Sequence, residues 1–170
     1  MTRFACSHIH ALHILSNFDC GNSALNIWLV QHAQQMQQRR YSRVFVWTEV
    51  DAPRDVVGFF SLSATMVRRE DLQSREARSE LRQIPAFLLG KVALDRRLQG
   101  QGLAKILIAD AIRIAAKASE SVAARLLVVD AIDETAARIY QHCGFTPGPD
   151  SRLYARLDDL RAAAAEADLR

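Results

Sequence analysis

Apolar positions along this chain repeat at two periods, and the changes between them mark its elements. Leu25, Trp28, Leu29, His32, Ala33 and Met36 recur at three and four, predicting a helix from a cap at Asn22 or Ser23 to about Gln38. Val44 to Val50 is β-branched and aromatic and reads as a strand. Asp51 to Asp55 reads as a turn and Val56 to Ser63 as a returning strand, so the pair predicts an antiparallel hairpin. Leu88 to Leu94 is a short apolar run, a buried strand ended by Asp95. Leu103, Ile106, Leu107, Ala111 and Ile114 then predict a helix to Lys117. Arg125 to Ala131 reads as another buried strand, and Asp133 caps a helix over Glu134 to His142. Gly144 suits the left-handed position that closes that helix. Pro147-Gly148-Pro149 turns the chain into a last alternating strand, Arg152 to Leu157. Two stretches stay open. Ile9, Leu12, Ile14 and Leu15 fit a first strand or a packed loop, and the alanine-rich segment from Leu160 to Arg170 fits a helix or a frayed end.

Size adds one domain, residues 1–160, followed by a tail at 161–170. No apolar run reaches the roughly 20 residues of a membrane span, and the polar start does not read as a signal peptide. Cys6, Cys20 and Cys143 are odd in number and form no CxxC pair, which argues against a disulfide framework or zinc site and for a reducing cytoplasm. His8, His10 and His13 lack an acidic or cysteine partner at a helpful spacing and read as packing, so no metal is expected. A net charge of +3 permits an anionic partner without demanding one. Arg39, Arg40 and Arg43 form a positive cluster with no acid nearby. Arg68 to Arg82 mixes Arg68, Arg69, Arg75, Arg78 and Arg82 with four acids, and fits a solvated loop or short helix as well as a substrate contact.

The chemistry centres on Gln99-Gly100-Gln101-Gly102-Leu103-Ala104, between the central strand and its helix. A strand turning through glycines into a helix leaves N–H groups unpaired at the positive end of the dipole, a site for an anion such as a phosphate. No Gly-Lys-Ser/Thr follows, so this is not the nucleotide P-loop, and the glycine spacing is not that of the dinucleotide fingerprint.

The hexad does fit Gln/Arg-x-x-Gly-x-Gly/Ala, and here the chain resembles the GNAT N-acetyltransferases. Asp133-x-x-Ala136-x-x-x-Tyr140-x-x-x-Gly144-Phe145 is similar to a second family signature, with Asp133 in place of the usual Asn. Phe18-Asp19-Cys20-Gly21-Asn22, Leu25 to Leu29, Val57 to Ser63 and Ile84-Pro85 resemble the GNAT toxins of bacterial toxin–antitoxin pairs, in which Asp usually stands at the position of Asn26 and Tyr at that of Phe59 or Phe60. The resemblance covers nearly the whole chain. It implies an α/β (α+β) GNAT acyl-CoA N-acyltransferase fold: a mixed, mostly antiparallel sheet, splayed at the acetyl-CoA site and flanked by helices.

What it implies for function is acetyl transfer from acetyl-CoA to the α-amino group of aminoacyl-tRNA. N–H groups from Gly100 to Lys105, with Gln99, Gln101, Gly102, Leu103 and Ala104, would hold the coenzyme pyrophosphate. Val92, Ala93 and Leu94 would pair with the pantetheine arm as an added strand would. Asp133 and Ala136 would line the coenzyme side, and Tyr140 would be the general acid that protonates the leaving thiolate. No acid stands out as a base for the amine; Glu49 would act only through water. An α-amino group beside an ester is more readily neutral than a lysine near pKa ~10.4, so it needs little help. Arg39, Arg40, Arg43, Arg68, Arg69, Arg75 and Arg78 are candidates for tRNA phosphate contact. The subgroup further implies a ribbon-helix-helix antitoxin and homodimers. The alternatives are a GNAT enzyme acting on a protein N-terminus, polyamine or antibiotic, and a non-catalytic acetyl-CoA- or RNA-binding module.

Overall fold

The structure, a computed structural model, describes residues 3–73 and 81–169. Its elements are β1 (Phe4–His8), α1 (Ser23–Gln31), α2 (Ala33–Gln38), β2 (Arg43–Glu49), β3 (Ala52–Arg68), β4 (Gln83–Leu94), α3 (Leu103–Ser121), β5 (Leu126–Asp130), α4 (Glu134–His142), β6 (Thr146–Pro147), β7 (Arg152–Arg156) and α5 (Leu157–Asp168). The strands form a seven-stranded sheet in the order β1-β2-β3-β4-β5-β7-β6. Of its described ladders only that of β4 with β5 is parallel. This is the mixed, mostly antiparallel α/β fold expected. The chain divides into two compact units, Met1–Ser63 with Gly90–Ile108, and Ala64–Leu89 with Ala109–Arg170.

In the first unit the opening strand is β1, which pairs antiparallel with β2 from Phe4↔Glu49 to His8↔Phe45. The stretch from Ile9 to Leu15 is the packed loop of the two options: Ile9 is buried and Ile14 makes a bridge to Asp55. Sequence periodicity misses β1 because its five residues include Ala5, Ser7 and His8, all exposed, while Phe4 gains burial by stacking on Trp47 at 4.6 Å. The helix predicted to Gln38 breaks at His32, whose φ of −122° and ψ of −29° leave Leu29 and Ala33 fully buried on either side. The expected turn at 51–55 is shorter: β3 begins at Ala52, and register shifts around Thr48 accommodate Pro53 near the strand end. The core joins Leu29, Ala33, Val44, Val46, Val56 and Phe59, with Trp28 stacked on Phe59 at 5.8 Å.

In the second unit β4 pairs with β5 over four positions, from Ala86↔Leu126 to Leu89↔Val129. The ladder stops there while β4 runs on to Leu94. Ile84, Ala86, Leu126, Val128 and Tyr154 pack with Val67 and Leu72. The Asp133 side chain accepts the Ala136 N–H at 2.7 Å, the predicted cap of α4, and Gly144 closes that helix at φ 102°. The alanine-rich end is helical as α5: Leu157 and Leu160 are buried, and Arg161 donates at 2.8 Å to the Ala116 carbonyl of α3, which also accepts from the Ser119 hydroxyl.

The end of β4 is fixed by a carboxylate. Asp95 is only 2% exposed. Its Oδ1 accepts from the Arg97 backbone N–H at 3.0 Å and Arg97 Nε at 2.8 Å, and its Oδ2 from Arg97 Nη2 and the Asp19 N–H, both at 3.1 Å. Burial pushes a carboxyl pKa up, but the bonds from Arg97 and Asp19 outweigh it and hold Asp95 below the usual carboxylate range. The fold therefore favours the ionised form. That contribution is complete above the ordinary value of 3.8 and is lost as pH falls through the lowered one. Asp95→Ala, which strands the Asp19 N–H, is expected to lower the unfolding free energy by about 2 kcal/mol at neutral pH, read from urea midpoints. The gap between variant and parent should narrow below about pH 4; an undiminished gap would assign the loss to packing instead of charge.

Candidate functional site

The glycine turn follows this carboxylate. A short 3₁₀ turn at Arg96–Leu98, capped by the Asp95 side chain, leads into it. Gly100 and Gly102 have φ of 76° and 75°, alternating with Gln101. Left-handed residues spaced this way turn successive N–H groups toward one side, the geometry of an anion-binding concavity, and α3 begins at the next residue. A Cβ placed on either glycine meets no protein atom within 4 Å. Protein packing therefore does not require glycine here. The backbone conformation does, and bare backbone lets a ligand approach closely. A pyrophosphate fits such a cradle. Gln101 is exposed, Leu103 and Ala104 are half-buried, and Lys105 is exposed in the first turn of α3.

Gln99 departs from its expected part. Both protons of its Nε2 are used within the protein, donated to the Cys20 and Leu94 carbonyls at 2.8 Å each. Just before the turn, Ala93 and Leu94 are buried and Val92 half-buried. Sequence reasoning passed over Asp95, Arg97 and the pairing of Asp19 with Asn26. The available signal was an acid that stops an apolar strand and is followed at once by two arginines.

In the second unit Tyr140 lies on α4, 7% exposed, edge-on to Phe145 with ring centroids 5.7 Å apart. Burial, with a smaller contribution from Cys143, pushes its phenol well above the ordinary tyrosine value. The group is thus protonated throughout the physiological range, and burial makes it a weaker acid than a free phenol. Asp133 and the Ala136 N–H are bonded to each other in the cap, so the acid's contact here is with its own helix.

The arginines divide into two sets. Arg39, Arg40 and Arg43 are exposed around the end of α2 and the start of β2, and no described ion pair includes them. Arg68 is instead paired with Glu70 at 3.1 Å and Asp71 at 3.2 Å. Arg69 is half-buried and its N–H donates to the Arg82 carbonyl. Arg75 and Arg78 lie outside the described residues. Glu49, the weak choice of base, has its carboxylate 2.7 Å from Arg3. The histidines pack: His10 and His13 stack at 3.7 Å and His8 lies against Phe45. Among the described residues no group of three or more His, Cys, Asp or Glu could hold a metal ion.

Residues 40–147 match the family model described as acetyltransferase (GNAT) domain. A protein named tRNA-acetylating toxin, from Mycobacterium tuberculosis, is 32% identical over 152 residues, spanning 87% of this chain and 89% of that protein. Among solved structures, AtaT complexed with acetyl-methionyl-tRNAfMet superposes with a TM-score of 0.87 at 28% identity, over 95% of this chain and 99% of that one. A mutant AtaT toxin bound to the C-terminus of the antitoxin AtaR and acetyl-CoA gives 0.79 at 27% identity, over 94% and 97%. The match to the domain model and the identity to the Mycobacterium tuberculosis relative show that the chain belongs to the GNAT acetyltransferase family.

Proposed function

We propose that this protein transfers the acetyl group of acetyl-CoA to the α-amino group of an aminoacyl-tRNA, and so acts as a translation-blocking toxin. The observation that carries the reading is the pair of left-handed glycines, open to a ligand at the start of α3. The tRNA-acetylating relative, and the AtaT structures with acetyl-methionyl-tRNA and with acetyl-CoA, support the substrate and the donor.

N–H groups from Gly100 to Lys105 bind the coenzyme pyrophosphate, and the end of β4, Val92 to Leu94, offers main-chain partners to the pantetheine amides. Asp133 and Ala136 contribute through the start of α4. The neutral amine attacks the thioester carbonyl, forming the C–N bond. As the C–S bond breaks, the Tyr140 hydroxyl gives its proton to the departing sulfur, and the proton shed by the amine restores the phenol. The raised pKa of Tyr140 disfavours a free phenolate, so transfer is concerted with departure of the thiolate. Glu49 is paired with Arg3 and would act as a base only through water, so the reading favours an acceptor amine already neutral near pH 7. The α-amino group of an aminoacyl ester is such an amine, and a free lysine is not.

Arg39, Arg40 and Arg43 are the first choice for tRNA phosphates, with Arg68, Arg69, Arg75 and Arg78 as a second set. The reading includes an antitoxin of ribbon-helix-helix type, a toxin homodimer and a cytoplasmic place of action. The AtaT complex with the antitoxin C-terminus supports the antitoxin. No helix among the described residues is long and apolar enough to cross a membrane.

Incubation with labelled acetyl-CoA and total charged tRNA should leave the label on the α-amino group of one or a few aminoacyl species. Label on protein or polyamine alone would refute the reading. Tyr140→Phe should lose about 10²- to 10⁴-fold in kcat while coenzyme affinity is retained; full activity would remove Tyr140 as the acid. Reversing Arg39, Arg40 and Arg43 together to Glu should raise KM for tRNA at least about tenfold and flatten its salt dependence, leaving the acetyl-CoA Kd unchanged. Unaltered tRNA kinetics would clear this patch of the role.

A further inference from the structure

The segment Phe18 to Asn26 carries much of the toxin-like signature, yet acetyl transfer as described uses none of it. Its polar groups form a continuous chain of hydrogen bonds that ends on the glycine turn, wholly within the first unit. From the turn outward, Gln99 Nε2 donates to the Cys20 carbonyl at 2.8 Å, and the Cys20 N–H donates to Asn26 Oδ1 at 2.9 Å. Asn26 Nδ2 donates to Asp19 Oδ1 at 2.9 Å, and the same oxygen accepts the Gly21 N–H at 2.9 Å. The Asp19 N–H donates to Asp95 Oδ2, while the Arg96 N–H donates to the Asp19 carbonyl at 2.8 Å. Gln99 closes the ring through its second proton, given to the Leu94 carbonyl at 2.8 Å.

We propose that Gln99 and Asn26 are positioning residues for the coenzyme: together they brace the glycine turn against the segment ahead of α1, so that its N–H groups are already aimed before coenzyme A arrives. The inference rests on reading Gly100 to Lys105 as the pyrophosphate loop. The donor requirement is specific. Two carbonyl oxygens converge on Gln99 Nε2, so only a side chain with at least two N–H groups can sit there. That explains on physical grounds why arginine is the other residue the hexad pattern accepts. Asn26 in this chain accepts with one atom and donates with the other, standing between an N–H group and the Asp19 carboxylate. Asp19 is held below the usual carboxylate range by the Gly21 N–H and by Asn26, as expected of an ionised acceptor in this chain. Glycines gain affinity for an anion only if something else restrains them, since a free turn would have to be ordered by the ligand. The brace supplies that restraint without touching the ligand.

Three variants test this: Gln99→Glu, which keeps the shape and removes both donors; Gln99→Arg, which keeps donors; and Asn26→Asp, which sets a second carboxylate against Asp19. Amide hydrogen exchange at Gly100 to Lys105 is followed in the ligand-free protein, and coenzyme A affinity by calorimetry. Gln99→Glu and Asn26→Asp should both speed exchange at the turn and raise the coenzyme A Kd about tenfold, with kcat at saturating acetyl-CoA within about twofold of the parent. Gln99→Arg should restore most of the affinity. Parent-like exchange and Kd in Gln99→Glu and Asn26→Asp would overturn the proposal, as would a Gln99→Arg variant no better than Gln99→Glu. Should Gln99→Glu not fold, Asn26→Asp carries the same test alone. A parent protein that binds no coenzyme A would sink the pyrophosphate reading, while the exchange contrast would still decide whether the brace exists.

Discussion

The carboxylate at the end of β4 sets where the strand stops and the turn begins. An apolar strand has no intrinsic reason to end at Leu94. Asp95 ends it by drawing the next N–H groups to its own oxygens and by binding the Asp19 main chain from another part of the sequence. A buried carboxylate is costly unless nearly all its lone pairs are used. Asp95 accepts four bonds, so its position is narrowly defined, and the turn that follows inherits that definition. Two left-handed glycines on a loosely held strand end would sample many conformations. On this one they have a fixed root.

Charge in the molecule is handled the same way, locally. Arg97 answers Asp95, Arg152 answers Asp130 with two bonds, Arg3 answers Glu49, and Arg113 answers Asp110. The exposed pairs among these add little stability, unlike that of the buried Asp95, but all of them cancel field. A net charge of +3 spread evenly would make a weak attractant. Arg39, Arg40 and Arg43, close together in sequence and exposed, are among the cations that no described ion pair answers, as are Arg54, Lys91, Lys105 and Lys117. A local cluster can orient a polyanion even when the whole-chain charge is modest.

Much of the fold was legible because its elements obey simple periods. The buried strands β2, β4 and β5 are apolar runs, α3 and α4 repeat at helical spacing, and Asp133 and Gly144 punctuate α4 as their chemistry dictates. The misses have physical causes. An edge strand such as β1 is held by backbone pairing and one aromatic stack, which a hydrophobic pattern does not register. The break at His32 leaves the three-and-four repeat intact, so periodicity runs straight through it. At the site, the glycine turn was readable because left-handed backbone requires a particular residue. The role of Gln99 was not, since its partners are main-chain carbonyls, one of them 79 residues away in sequence and invisible to any local pattern. Side chains that grip backbone leave no complementary residue to find.

The same logic bears on the missing base. Acyl transfer needs a neutral nucleophile and a protonated leaving group, and a protein can supply help for either. The proposed acid here is the Tyr140 phenol, which burial keeps protonated. A site provided only with an acid suits acceptors that lose their own proton readily. An ordinary ammonium near pKa ~10.4 would present the neutral form about once in two thousand molecules at neutral pH, whereas an α-amino group near ~8 does so about once in ten. An adjacent ester withdraws further electron density and raises that fraction again. In the proposed reaction the acceptor's own acidity stands in for a catalytic carboxylate.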